Sequence, residues 1–213
     1  MTASQTTTSK RAAGKAVGRL FLLDIAAGHV LSINPDGSGK KVLASDVPLP
    51  DGIVVDVEAG HIYWTNMVVP SKNNGYIERA DLDGANRKTI VPPGVTFTPK
   101  QLHLEKASGK LYWSDREGMR VMRANLDGGQ VLSVNPDGSG KKLLASGAPL
   151  PDGIVVDVEA GHLYWTNMGS SPKNNDGFIE RADLDGANRK TIVPPGVTFT
   201  PKQLHLEKAS GKL

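Results

Sequence analysis

His61-Ile-Tyr-Trp-Thr-Asn66 returns as Lys110-Leu-Tyr-Trp-Ser-Asp115 and again as His162-Leu-Tyr-Trp-Thr-Asn167, with Arg19-Leu-Phe-Leu-Leu-Asp24 as a degenerate fourth member. After each comes a turn and then a second short segment, such as Tyr76–Asp81 or Met119–Asn125. A tight turn follows: Asn-Pro-Asp-Gly at 34–37 and 135–138, Asp-Leu-Asp-Gly at 81–84 and 183–186, or Asn-Leu-Asp-Gly at 125–128. Asp-Gly between alternating segments signals a hairpin, because glycine takes positive φ without steric cost. Arg87–Val91 and Lys41–Ala44 read as the next strand. A Pro-rich link then leads to an apolar strand, Gly52–Val57 or Gln101–Glu105. Four short antiparallel strands in roughly 45 residues describe a β-propeller blade. No helical period of useful length competes, since Pro and Gly interrupt every long window.

A longer repeat lies over this one. Leu31–Leu111 recurs as Leu132–Leu213 with about ten substitutions. The offset is 101 residues until Asn73-Asn74-Gly75 becomes Asn174-Asn175-Asp176-Gly177, and 102 thereafter. This implies a recent duplication or a deliberate joining of two copies, with any site expected twice. The strand candidates predict an all-β protein of about four to five four-stranded antiparallel blades across residues 19–213. The expected blades are 51–91, 98–146, 152–193 and a composite of 200–213 with 19–45. The third carries one segment too many, Gln130–Asn135, which reads as a seam. Ring closure has two solutions: a small ring within one chain, or self-association of chains through exposed strand edges.

The 213 residues fit one domain, or two at most. Zero cysteines exclude disulfide frameworks and thiolate metal sites, and no apolar run reaches a membrane span. The net charge of +3 is local: Lys10, Arg11, Lys15 and Arg19 precede the first acid, Asp24. Residues 1–18 read as a disordered basic tail that faintly resembles a transit peptide, with an untargeted or appended tail the plainer reading. No secretory signal is recognised, so a cytoplasmic location is expected. The remainder holds 21 basic against 22 acidic residues, which argues against a nucleic-acid face and leaves only the tail for that role.

The Tyr-Trp-Thr-Asn and Tyr-Trp-Ser-Asp cores, the Gly-Ile-Val-Val-Asp strand and the Asp-Leu-Asp-Gly-Ala-Asn-Arg turn resemble the YWTD propellers. These are found in low-density-lipoprotein-receptor-type ectodomains and in cysteine-free microbial relatives. The resemblance covers Arg19 to Leu213 and implies a six-bladed parent ring, more than this chain supplies. Asn66 and Asn167 depart from the motif Asp, keeping its acceptor and losing its charge.

Candidate chemistry is sparse. Gly37–Lys41 lacks the first Gly and the Ser/Thr of a phosphate loop, and a strand follows it. Asp81–Asn86 resembles a calcium loop but has Pro92 at position twelve. No His pair has zinc spacing, no nucleophile elbow exists, and no cofactor is expected. The tryptophans Trp64, Trp113 and Trp165 suit packing between blades. Loops are where binding concentrates, which nominates Lys72, Asn73, Asn74, Lys173, Asn174, Asn175, Arg116 and Glu117. On the inner strands His103 with Glu105, and His205 with Glu207, are candidates to converge in a central channel. The leading expectation is a non-enzymatic repeat scaffold or interaction module. The alternative is a lactonase-like propeller hydrolase using Asp56, His103, Glu105 and their copies in the channel.

Overall fold

The computed structural model describes residues 18–126, 145–146, 148–171 and 173–206. Among them there is no helix; four antiparallel sheets follow one another along the chain. Blade 1 holds β1 (Leu20–Asp24), β2 (His29–Ile33) and β3 (Lys41–Ala44). Blade 2 holds β4 (Pro50–Asp56), β5 (His61–Asn66), β6 (Gly75–Asp81) and β7 (Lys88–Thr96). Blade 3 holds β8 (Pro99–Glu105), β9 (Lys110–Asp115), β10 (Arg120–Asn125) and β11 (Ala145–Ser146). Blade 4 holds β12 (Pro151–Asp157), β13 (His162–Asn167), β14 (Gly177–Asp183) and β15 (Lys190–Thr198). The all-β propeller reading therefore holds. The segment Gln130–Asn135, Glu207 and the tail apart from Gly18 lie outside the described residues.

Local chemistry sets the turns. At the first hairpin of blades 2 to 4 an acid ends the inner strand and a glycine closes the turn. Asp56 accepts from Ala59 N at 3.2 Å, Glu105 from Ser108 N at 2.8 Å and Asp157 from Ala160 N at 3.2 Å. The candidate calcium loop is a hairpin turn: Asp83 accepts from Ala85 N at 2.9 Å and Asp81 from the Asn86 amide at 2.7 Å. Gly84 there has φ +92, and a Cβ would strike the Leu43 carbonyl of blade 1. The Gly37–Lys41 segment is likewise a turn, held by Asp36 accepting from Ser38 N at 2.9 Å.

One boundary differs from expectation. The Pro-rich stretch after Val91 is not a link outside the sheet, because β7 runs through it to Thr96. Ile77 pairs with Val91 and Gly75 with Thr96, so residues 92–95 bulge opposite Tyr76. Proline is tolerated at a bulge because no ladder N–H is needed there.

The core is three clusters, each between neighbouring blades. Trp64 packs with Val30, Leu43 and Val47 between blades 1 and 2. Trp113 and Leu111 pack with Tyr63, Ile77, Ile90 and Val91 between blades 2 and 3. Trp165 and Leu163 pack with Tyr112 and Val121 between blades 3 and 4. All three tryptophans are fully buried, as inter-blade packing requires.

The departures from the motif Asp have a physical cause. Asp115 is fully buried, accepts from Phe97 N at 3.0 Å and Thr98 N at 2.8 Å, and pairs with Arg120. In blades 2 and 4 the position facing the motif residue holds Tyr76 or Phe178, and a glutamate lies two residues further along the third strand, opposite the tryptophan. Asn66 donates to Glu78 at 3.0 Å and Asn167 donates to Glu180 at 2.9 Å. Those glutamates also take Arg87 and Arg189, each of which lies over its blade's tryptophan. A second carboxylate at Asn66 or Asn167 would face Glu78 or Glu180, so a donor is required. The retained interaction is thus a donation, whereas the Oδ1 acceptors of both asparagines are buried without a partner among the described residues.

Among the described residues blade 1 has no inner strand. β1 aligns with β9, and its partner among the described residues is β2. Pro201–Leu206, expected to complete that blade, carries no strand pairing. It runs beside β12 instead, where its Lys202 carbonyl accepts from Thr166 Oγ1 at 2.7 Å.

Val68 has φ +53, a left-handed conformation costly for a β-branched residue, and the duplicate copy places Gly169 there with φ +76. Val68→Gly is expected to stabilise the fold by ~1 kcal/mol. Gly169→Val should destabilise it by more, because a Cβ would also meet Asp176. Urea denaturation of the two variants checks both signs.

Candidate interaction rim and central channel

Strand pairing brings the nominated loops to one rim. Pro50 faces Asn66, Pro99 faces Asp115 and Pro151 faces Asn167. The inner strands therefore start where the second strands end. The loops after β5, β9 and β13 share that rim with the channel mouth, and they carry Lys72, Asn73 and Asn74, then Arg116 and Glu117, then Lys173, Asn174 and Asn175.

Several of these residues are engaged internally. Asn73 donates to Gly94 O at 2.6 Å and its own carbonyl accepts from Gly94 N at 2.9 Å, which clamps the Pro-Pro-Gly bulge. The duplicate clamp uses Asn175 with Gly196, at 2.7 Å in both directions. Asn73 thus corresponds to Asn175 and not to Asn174, so the inserted residue is absorbed earlier in the loop than letter matching places it. Asn74 accepts from Val69 N at 3.3 Å, and Asp176 takes that role in the copy, accepting from Ser170 N at 3.0 Å. Asn174 donates to Ser170 Oγ at 2.9 Å. Arg116 and Glu117 pair with each other at 2.8 Å. Lys72 and Lys173 project outward, exposed.

Sequence reasoning overlooked two features of this rim. The first is apolar: Leu49, Val69 and Met119 are exposed there. Leu49, Val68, Met119 and Leu150 all hold positive φ near +50. Such strain gathers at binding and switching sites. Its signal was Gly169 standing where the first copy has Val68.

The second is a row of alternating charge. The residue after each inner-strand proline is Asp51, Lys100, Asp152 and Lys202 in turn. Lys100 is only 6% exposed. Its Nζ bonds Asp51, lies 3.5 Å from Met67 Sδ and 4.0 Å from Asp152 Oδ2, so one ammonium ties three blades together. Gln101 also donates to Asp51, at 3.2 Å. Asp152 is 3% exposed, and its Oδ2 accepts no hydrogen bond among the described residues. Burial pushes its carboxyl above the usual range, opposed by the Lys100 charge and reinforced by Asp51.

Deeper in, the channel holds a cavity of about 320 Å³ lined by His103, His205 and residues 153–156. The structure thus brings the two nominated histidines to one space. Burial pushes the His103 imidazole below its ordinary range against a smaller opposing pull from Glu105. The nominated acids do not join them as free groups. Desolvation pushes Glu105 up, but hydrogen bonds from Ser108 and Ala107 outweigh it and hold the carboxyl below its usual value. Asp56 behaves alike, with Ala59 N and Lys106 outweighing desolvation. Among the described residues no three His, Asp or Glu side chains converge in a metal-binding arrangement.

Comparison with known proteins follows the same line. The chain is 42% identical over 215 residues to low-density lipoprotein receptor-related protein 1 of Pyricularia oryzae, covering 92% of this chain and 68% of that one. The chain belongs to the low-density-lipoprotein-receptor-related YWTD β-propeller family. This YWTD propeller is also 30% identical to 3-hydroxyacyl-CoA dehydrogenase-like protein LAM1 of Cochliobolus heterostrophus, of which it spans 38%. It is 32% identical to low-density lipoprotein receptor-related protein 5 of Mus musculus, of which it spans 9%. The crystal structure of a nidogen/laminin complex superimposes with a TM-score of 0.69 at 23% identity, over 90% of this YWTD propeller and 66% of the matched chain. No protein-family model matches the sequence.

Three variants test this polar network. Lys100→Met removes the ammonium shared by buried Asp152 and half-buried Asp51, leaving Asp51 only its Gln101 donor, and should cost on the order of 3 kcal/mol in urea unfolding. Asp152→Asn should instead stabilise at pH 7, because a carboxyl whose pKa is raised by folding loses stability as pH rises past its unfolded value of 3.8. Glu105 has the opposite sign: its contribution is present above its unfolded value of 4.5 and disappears as pH falls through its lower folded value. The stability gap between wild type and Glu105→Gln should therefore narrow on acidification below that point.

Proposed function

We propose that this propeller is a non-enzymatic interaction scaffold that binds protein partners through the loop rim and associates with itself through its blade ends. One observation carries the reading. The loops of successive blades open on the same rim, which carries exposed Lys72 and Lys173 as well as exposed Leu49, Val69 and Met119. Mixed apolar and cationic surface on a rigid scaffold suits a protein partner better than a small substrate. The names of relatives, a receptor-related protein and a nidogen/laminin complex, agree in kind with protein contact. The channel offers less for hydrolysis. Two imidazoles face a cavity, but Asp56 and Glu105 spend their oxygens on their own hairpin turns and, for Asp56, on Lys106.

Immobilised wild-type protein is expected to retain proteins from a cell extract that a Lys72→Glu, Met119→Asp, Lys173→Glu variant fails to retain. Hydrolysis of simple lactones by the pure protein, lost in His103→Ala, or stoichiometric tightly held divalent metal would overturn the scaffold reading.

A further inference from the structure

Residues 88–111 and 190–213 are identical in sequence, so the molecule contains its own control. In the first copy Ile90 and Val91 are buried against Leu111, Trp113 and Met122 of blade 3, and Val95 packs on the same cluster. Phe97 lies under the Arg120 guanidinium at 5.8 Å. In the second copy the same face is less covered among the described residues. Val197 is 66% exposed and Phe199 54% exposed. Ile192, Val193 and Tyr164 are only half-buried, whereas Ile90, Val91 and Tyr63 are buried. Identical side chains with different burial define a face shaped for a following blade.

The opposite end of the protein bears the complementary face. Aligned on β9, Leu20 corresponds to Leu111, Leu22 to Trp113, Asp24 to Asp115 and His29 to Arg120. Leu111 and Trp113 are fully buried against blade 2, but Leu20 is 53% and Leu22 39% exposed. Phe21 and Leu23, on the other face of β1, pack against blade 2 as expected. Blade 1 is therefore covered on one side only, and β1 pairs on one edge only among the described residues. Among the described residues it has no inner strand, and Pro201–Leu206 has the sequence of one, Pro99–Leu104, without a strand partner.

We infer that the blade 4 end of one copy docks onto the blade 1 end of a second copy, reproducing the contact between blades 2 and 3. Leu20 and Leu22 of one copy cover Ile192, Val193 and Val197 of the other. Pro201–Leu206 adds to β1 as the missing inner strand. Asp24 accepts from the Phe199 and Thr200 amides, as Asp115 accepts from Phe97 and Thr98. The contact is heterologous, so it continues until the rotation closes. Two copies of four blades make eight, within the range of known propellers. This rests on the self-association proposed above and specifies its interface.

Light scattering tests it on the full chain. The wild type is expected at twice the single-chain mass or more at micromolar concentration. Leu22→Asp and Phe199→Asp replace exposed residues, and each alone should still assemble no further than a chain with one damaged end allows: monomer when pure. Mixed one to one, they should form a dimer, because each supplies the end the other lacks. A monomeric wild type, or a mixture that stays monomeric while circular dichroism shows both variants folded, overturns the inference. The rim variant carrying Lys72→Glu, Met119→Asp and Lys173→Glu leaves both ends intact. It should keep the wild-type mass while losing partner proteins, so the failure of either reading is seen separately.

Discussion

The structure depends on the insertion of each blade's second strand into the blade before it. Trp113 and Leu111 point backward into Tyr63, Ile77, Ile90 and Val91, while Tyr112, between them in sequence, points forward into blade 4. Because strand side chains alternate with period two, one strand serves both faces of its sheet. A tryptophan buries roughly 200 Å² in such a position, on the order of 5 kcal/mol by area. A blade is thus a thin sheet whose two faces are both apolar, stable only between neighbours. That constraint explains why the core is divided into three inter-blade clusters rather than one centre.

Polar interactions refine this stack rather than create it. Asp115 grips the backbone entering its own blade, whereas Asn66 and Asn167 donate to a glutamate already held by arginine. The same motif position thus serves as acceptor or donor according to the third-strand side chain that reaches it, Arg120 in blade 3 and Glu78 or Glu180 in blades 2 and 4. Lys100 crosses three blades at the channel mouth, where burial makes its pairing with Asp51 and Asp152 costly to break. Left-handed Leu49, Val68, Met119 and Leu150 sit on that same rim, so strain and exposed apolar surface coincide.

Strand identities and hairpin turns were legible because each rests on neighbours in sequence. The aromatic segments became β5, β9 and β13 with the expected bounds, and Asp-Gly turns formed where positive φ was needed. The site was legible only in part. Polar loops can be named from composition, but nothing local shows that Asn73 is spent on Gly94, the seventh residue of β7 across the loop. The row Asp51, Lys100, Asp152 and Lys202 is spaced about one blade apart, visible only when the blade period is applied to the residue after each proline. Glu105 looked free beside His103 on one strand, yet its carboxylate turns back into its own hairpin.

By itself the sequence determined the blade: its strands, its turns, its family motif and the near-identity of two copies, all encoded within about 45 contiguous residues. Only the tertiary structure decided which copies of the same residues are covered. Val95 and Val197 have identical sequence surroundings, and one is packed while the other is exposed. Burial of a blade's face depends on the neighbour that the chain brings to it, and that neighbour is set by the blade's position along the chain and not by local sequence.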